Sequence, residues 1–298
     1  MMAINFKELP DEELIYGQKS CHGCGAFLAA RLALKVLGPK TVLLAPAGCF
    51  SATAGGYPES KSFVNYACTS FPAAASTLAG CAAAGEVLGV DPDVTYLAIA
   101  GDGGTIDIGL QALSGAAERG DNLIYICYDN EAYMNTGVQR SGATPYGADT
   151  TTTPAGKCSG GCTNSSKKSL FEIMAAHRVP YAATASIAYP RDYMEKVQKA
   201  RGFRGTKVIH VIAPCPTGWG YASERTIEIG RMAVECGLWY LGEYENGTYR
   251  IKKPGAMKPV EPYLKAQKRF RHLKEEDYRR IEQLRDEEWE RLDRLNTR

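Results

Sequence analysis

Short runs of β-branched and apolar residues alternate along the chain with longer stretches in which apolar positions recur at helical spacing. Thr41–Pro46, Val94–Ala100, Leu123–Tyr128, Tyr181–Ile187 and Lys207–Ala213 are nearly continuous in apolar character, so each predicts a strand buried on both faces. Between them, Gly25–Leu37, Pro72–Leu88, Ile108–Arg119, Leu170–His177, Pro190–Ala200 and Ser223–Gly237 predict helices. Regular alternation of the two predicts an α/β fold, a doubly wound and mostly parallel sheet with crossover helices.

Two stretches fall outside that alternation. Ser141–Lys168 is rich in Gly, Thr, Ser and Pro, holds Cys158 and Cys162, and is too long for an ordinary connector, so a functional loop is expected. Beyond Lys258 the composition turns strongly charged. Glu275–Arg294 carries opposite charges at i, i+4 spacing, as a terminal helix does when it is solvated or docked on a partner. The expected division is an α/β domain over 1–254 and a charged helical extension over 255–298. The Ala-rich helix Pro72–Leu88, with Gly80 and Gly85, suits close approach of a neighbouring backbone.

Of the 298 residues, 45% are hydrophobic and 23% charged, with a net charge of +2. That balance supports a sizeable core and gives no electrostatic case for nucleic acid or an anionic membrane. Apolar stretches such as Val94–Ala100 and Ala73–Ala84 fall short of the ~20 residues that span a bilayer. Met1–Leu14 is mixed and acidic rather than leader-like, so a cytoplasmic location is expected. The ten cysteines point to metal, redox chemistry or burial rather than a disulfide scaffold.

The strand Val94–Ala100 runs into Gly101-Asp102-Gly103-Gly104 and then a helix. Backbone N–H groups at such a junction bind phosphate oxygens, glycines let the ligand approach, and Asp102 suits a divalent cation bridging two phosphates. A dinucleotide fingerprint competes, with Asp129 at the end of the next strand, but its third glycine position is Ile106. The next strand leads into Asp129–Gly137, and in a parallel sheet both loops meet at one crevice. Asp102, Asn130 and a backbone carbonyl near Ala132 then supply three hard oxygens of the kind Mg2+ takes. Gly101-Asp102-Gly103 followed after 26 residues by Asn130 has the spacing of a thiamine diphosphate signature.

Cys21-His22-Gly23-Cys24 opens a predicted helix. No preceding strand supplies a thioredoxin context, and the histidine stands between the cysteines, which excludes a c-type haem attachment. Zinc and iron–sulfur stay open, since four thiolates serve either. Cys49 and Cys215 each follow a predicted strand and converge on the same crevice. Cys81, Cys127 and Cys236 lie on apolar faces and read as core, while Cys68, Cys158 and Cys162 are ambiguous. Of the histidines, His22 alone lies near the chemistry; His177, His210 and His272 read as structural.

The stretches Gly101–Gly115 and Tyr128–Gly137, extended by Gln139–Gly147 and Cys215–Trp219, closely resemble the β subunit of 2-oxoacid:ferredoxin oxidoreductases, of which pyruvate:ferredoxin oxidoreductase is the nearest match. The resemblance runs from about Ser20 to His272. It implies thiamine diphosphate and Mg2+ at Gly101, Asp102, Gly103, Gly104, Asn130 and Ala132, with Asn135 and Thr136 on the reacting side of the cofactor. It implies a [4Fe-4S] cluster on Cys21, Cys24, Cys49 and Cys215, the third beside the cofactor. The implied reaction is reversible, coenzyme A-dependent oxidative decarboxylation of pyruvate with electrons passed to ferredoxin, in a complex with α, γ and δ subunits. The 2-oxoisovalerate and phenylglyoxylate enzymes share these motifs. A non-redox thiamine decarboxylase or transketolase subunit would need Asp102 and Asn130 but not four cysteines, and a zinc-stabilised scaffold would need no catalysis. One departure stands out: related single-chain enzymes carry a cofactor-contacting Glu two residues after the second cluster cysteine, where this chain has Ala26.

Overall fold

The computed structural model describes residues 4, 9, 14–54, 58, 60–156 and 166–296. Among the described residues ten strands form two sheets: β1 (Ile15–Tyr16), β2 (Thr41–Pro46), β3 (Lys61–Ser62), β4 (Asn65–Thr69), β5 (Thr95–Gly101), β6 (Leu123–Asp129), β7 (Tyr181–Ser186), β8 (Thr206–Ile212), β9 (Leu241–Glu245) and β10 (Thr248–Lys252). A small ribbon pairs β1 with β3, and the main sheet runs β10-β9-β7-β8-β6-β5-β2-β4. Six of its strands, β4 to β7 in that order, are parallel, and the β9-β10 hairpin closes one edge antiparallel.

The central strands are apolar at every position because both faces are covered. Leu97 and Ile99 of β5 join Leu43, Ile126 and Val211 under α1 (Gly25–Leu37). Ala98 and Ala100 face the other way, with Tyr125 and Cys127, toward the helices that follow β4 and β5. These are α3 (Ala74–Val87) and α4 (Leu110–Arg119), numbered after the short α2 (Cys49–Thr53). Small residues let α3 lie close to the sheet: a Cβ on Gly85 would stand 1.7 Å from the Tyr96 hydroxyl. The remaining helices are α5 (Leu170–Ala176), α6 (Pro190–Arg201), α7 (Pro216–Trp219), α8 (Thr226–Glu235), α9 (Glu261–Lys265) and α10 (Glu275–Asn296).

Both strands of the β1-β3 ribbon, and β4, β9 and β10 of the main sheet, are absent from the expected set. β4 is a largely exposed edge strand, so it has no apolar run to betray it. The hairpin alternates apolar and charged residues about Asn246-Gly247, both at positive φ, which is the signature of a tight hairpin turn. The helix expected from Ile108 is preceded by a π-helical turn over Gly103–Asp107 and begins at Leu110. The charged helix α10 is not wholly solvated. Its Ile281, Trp289 and Leu292 are buried on this chain, the Trp289 indole donates to the Gly237 carbonyl at 2.9 Å, and Asn296 pairs with the backbone of Ile251 at 2.7 and 2.8 Å. Among the described residues no helix is long and apolar enough to cross a membrane.

Candidate cofactor site

From β2 the chain steps outward to β4, then returns to the other side of β2 as β5. The strand order reverses there, and at such a point the loops at the carboxyl ends part into a crevice. A cleft of about 150 Å3 occupies it, lined after β2 by Ala47, Gly48 and Cys49 and after β4 by Phe71. Gly101, Gly103 and Gly104 line it after β5, and Asn130, Ala132, Tyr133, Met134, Asn135 and Thr136 after β6. The missing Cβ atoms matter here: one on Gly103 would stand 2.6 Å from the Tyr133 ring, and one on Gly104 2.9 Å from the Phe71 ring. The cleft is smaller than the ~300 Å3 lower bound of ordinary ligand pockets, so this chain by itself does not enclose a cofactor.

Beneath the glycines Asp102 is fully buried. Its Oδ2 accepts from the Ser141 hydroxyl at 2.5 Å and its Oδ1 from the Asn130 backbone N–H at 3.3 Å. The side-chain oxygen of Asn130 faces acceptors only, Asp102 Oδ1 and the Ala132 carbonyl, while an amide turned over would donate to them at 2.9 and 3.1 Å. Either the amide nitrogen occupies that point, or three oxygens converge there and a cation suits them. Carboxylate, amide and carbonyl are the hard donors Mg2+ accepts, with phosphate oxygens and water completing an octahedron. Burial, and next the charge of Asp129, push the Asp102 carboxyl well above the usual carboxylate range.

Asp129, which a dinucleotide site would offer to a ribose, is not available. It lies buried beside the cleft, with Oδ2 2.7 Å from His210 Nε2 and 2.6 Å from Lys167 Nζ. Burial alone would raise its pKa; Lys167 and His210 outweigh that and hold it at about 2. His210 is itself buried against this carboxylate.

The four cysteines flagged together stand on loops at the same end of the sheet. Gly23, at φ 71°, seats the Cys21–Cys24 loop against Ser223, where a Cβ would meet the carbonyl oxygen at 2.2 Å. The N–H of Gly25 donates to Pro214, which brings Cys24 beside Cys215. Cys49 starts α2 and lines the cleft. Burial first, then the neighbouring thiols Cys215 and Cys24, push Cys49 up to about 12. Burial, with Coulombic contributions from Cys24 and Cys21, pushes Cys215 up to about 11. The thiols thus sense one another, although among the described residues no three His, Cys, Asp or Glu side chains are drawn into a metal-holding group. Of the other cysteines, Cys127 and Cys236 are buried, Cys81 is half-buried, and Cys68 lies exposed on the edge strand beside Tyr66. Cys158 and Cys162 lie outside the described residues. Ala26 is buried in the first turn of α1, and its methyl side chain has no polar group to offer a cofactor.

Ser141, Glu131, Lys167, Trp219 and Arg269 belong to the surroundings of the site without having been singled out for it. Glu131, Ser141 and Trp219 fall inside the stretches that carry the resemblance and Lys167 inside the long Gly/Thr/Ser/Pro-rich loop, whereas Arg269 lies in none of them.

Residues 46–211 match the family model of the thiamine pyrophosphate enzyme C-terminal TPP binding domain. The chain is 54% identical over 278 residues to pyruvate synthase subunit PorB of Methanothermobacter thermautotrophicus, covering 93% of this chain and 96% of the relative. It is 48% identical over 277 residues to ketoisovalerate oxidoreductase subunit VorB of Pyrococcus abyssi, covering 90% and 89%. The fold matches a 2-oxoglutarate:ferredoxin oxidoreductase from Magnetococcus marinus with a TM-score of 0.57 at 21% identity, over 72% of each chain. The chain belongs to the thiamine pyrophosphate enzyme family and, within it, to the β subunits of the 2-oxoacid:ferredoxin oxidoreductases.

Proposed function

We propose that this chain is the subunit of a pyruvate synthase that binds the diphosphate of thiamine diphosphate through Mg2+ and carries the proximal [4Fe-4S] cluster. The observation that supports this most directly is the convergence of Asp102, Asn130 and the Ala132 carbonyl on one point at the crevice. Asp102, Asn130 and Ala132 hold the cation, and Gly101, Gly103 and Gly104 admit the diphosphate. Asn135 and Thr136 line the exposed mouth of the cleft, where a 2-oxoacid would approach. Cys21, Cys24, Cys49 and Cys215 hold the cluster, with Cys49 on the wall it shares with the cofactor. When bound, thiamine diphosphate supplies the electron sink that lets a 2-oxoacid lose CO2, and the cluster accepts the electrons one at a time.

The aminopyrimidine of the cofactor needs a carboxylic acid. Glu131, the acid nearest by sequence, is buried with one oxygen 2.9 Å from Lys167 Nζ and the other 2.5 Å from Arg269 Nη2. It is spent on those contacts, so the acid comes from an α subunit that also closes the cleft. Coenzyme A takes the acyl group, γ and δ subunits complete the path to ferredoxin, and the complex works in the cytoplasm. Pyruvate is the favoured substrate; 2-oxoisovalerate is the second reading, because VorB relatives share almost half of the sequence.

The test is anaerobic reduction of a low-potential dye by the complete complex, with coenzyme A and each 2-oxoacid in turn. Reduction that needs thiamine diphosphate and is fastest with pyruvate supports the reading. Faster turnover of a branched 2-oxoacid selects the second, and no turnover of any 2-oxoacid contradicts both.

A further inference from the structure

The cation site depends on an unusual backbone turn. Glu131, between Asn130 and Ala132, has φ 63°, the left-handed conformation that side-chain-bearing residues avoid. That turn puts the Asn130 side chain and the Ala132 carbonyl on the same side of the chain, both toward Asp102. A relaxed Glu131 would swing Ala132 away. The conformation is held at every polar atom. The Glu131 N–H donates to Asp129 Oδ1 at 2.9 Å, and its carbonyl accepts from the Thr144 hydroxyl at 2.7 Å. Its carboxylate is clamped between Lys167 and Arg269.

Arg269 comes from the charged C-terminal extension. Its guanidinium is buried, stacks on the Trp219 ring at 3.9 Å, and is oriented by Gln267 Oε1 at 2.9 Å. The Trp219 indole in turn donates to the Asn130 carbonyl at 2.8 Å. One guanidinium therefore touches both the side chain of Glu131 and the ring that holds Asn130.

We infer that Arg269 is a positioning residue for the cation site, through which the C-terminal extension sets how tightly this chain binds Mg2+ and a diphosphate. The inference rests on the thiamine diphosphate reading above. Arg269 makes no contact with the cleft and acts only through Glu131 and Trp219. The extension is thus a strap over the back of the metal-binding turn as well as a layer of the core.

The experiment uses the complete complex stripped of Mg2+ and thiamine diphosphate, and titrates Mg2+ at fixed thiamine diphosphate while binding is followed by calorimetry. Arg269→Met should raise the Mg2+ needed for half-saturation by about 10- to 100-fold, the usual cost of losing an outer-shell partner. Arg269→Lys, which keeps the charge but not the planar stack, should fall between the two. Arg291→Met is the control: Arg291 ties the same extension to Glu172 on α5, away from the cleft. It should lower the melting temperature without moving the Mg2+ midpoint. An Arg269→Met midpoint equal to that of wild type, or an equal shift in Arg291→Met, would overturn the inference. If Arg269→Met does not assemble, Arg269→Lys decides: a raised midpoint supports it, an unchanged one overturns it. Wild-type complex that binds no thiamine diphosphate would sink the functional reading itself, which keeps the two failures distinct.

Discussion

Asp102 sits where a carboxylate is costly, buried and facing Asp129, so without a cation it holds its proton well above the ordinary range. A divalent ion reverses that preference, because the ligand must be ionised. Binding of Mg2+ with thiamine diphosphate should therefore release a proton wherever Asp102 is protonated in the free site. The apparent affinity should rise with pH until the Asp102 pKa is passed. Calorimetry in buffers of different ionisation enthalpy reads both, and binding with no net proton release would contradict it. Lys207 carries the opposite pKa shift at a site remote from the chemistry. It is buried on β8 with Asn122 Oδ1 at 2.7 Å, and burial pushes its pKa down to about 7. The unfolded chain, with lysine near ~10.4, then binds more protons between about pH 7 and 10, so wild-type stability rises with pH across that window. Lys207→Met should stabilise the fold by roughly 1–3 kcal/mol at pH 6.5 and by little near pH 10, as read by denaturant unfolding. The sequence made Asp102 and Asn130 legible because their spacing spans one strand–helix–strand unit. Arg269 was hidden for the converse reason: it reaches the turn at Glu131 from far along the chain, and nothing local marks a guanidinium that acts across such a distance.

At the scale of elements, what the sequence discloses depends on burial. β2, β5, β6, β7 and β8 are covered on both faces, so continuous apolar runs delimit them closely. β4 is an exposed edge, and the β9-β10 hairpin announces itself through Asn246-Gly247 and alternation rather than through a run. The π-helical turn after β5 has no periodic signal, yet it orients the glycines and the start of α4. The cysteine loops are the element on which the electron-transfer reading depends. Cys215→Ser in the assembled complex should lower iron content and stop ferredoxin reduction. Cys127→Ser, in the core of β6, should cost only about 1 kcal/mol of stability. Equal iron in both variants, measured after anaerobic purification, would remove Cys215 from the cluster.

At the scale of the whole molecule, the proposed function makes the chain a diphosphate-side half-site. Its cleft is small, the Glu131 carboxylate is engaged by Lys167 and Arg269, and its cysteine loops approach the same end of the sheet. The purified chain alone should therefore fail to decarboxylate any 2-oxoacid, and addition of its α partner should restore thiamine-dependent CO2 release. Robust turnover by the single chain would show that the half-site is complete by itself. The most direct measurement of the central claim is thiamine diphosphate bound by the complete complex carrying wild-type or Asp102→Ala chain, assayed beside iron. The convergent-oxygen site predicts stoichiometric thiamine diphosphate in wild type and almost none in Asp102→Ala, with iron unchanged; equal cofactor in both would contradict it.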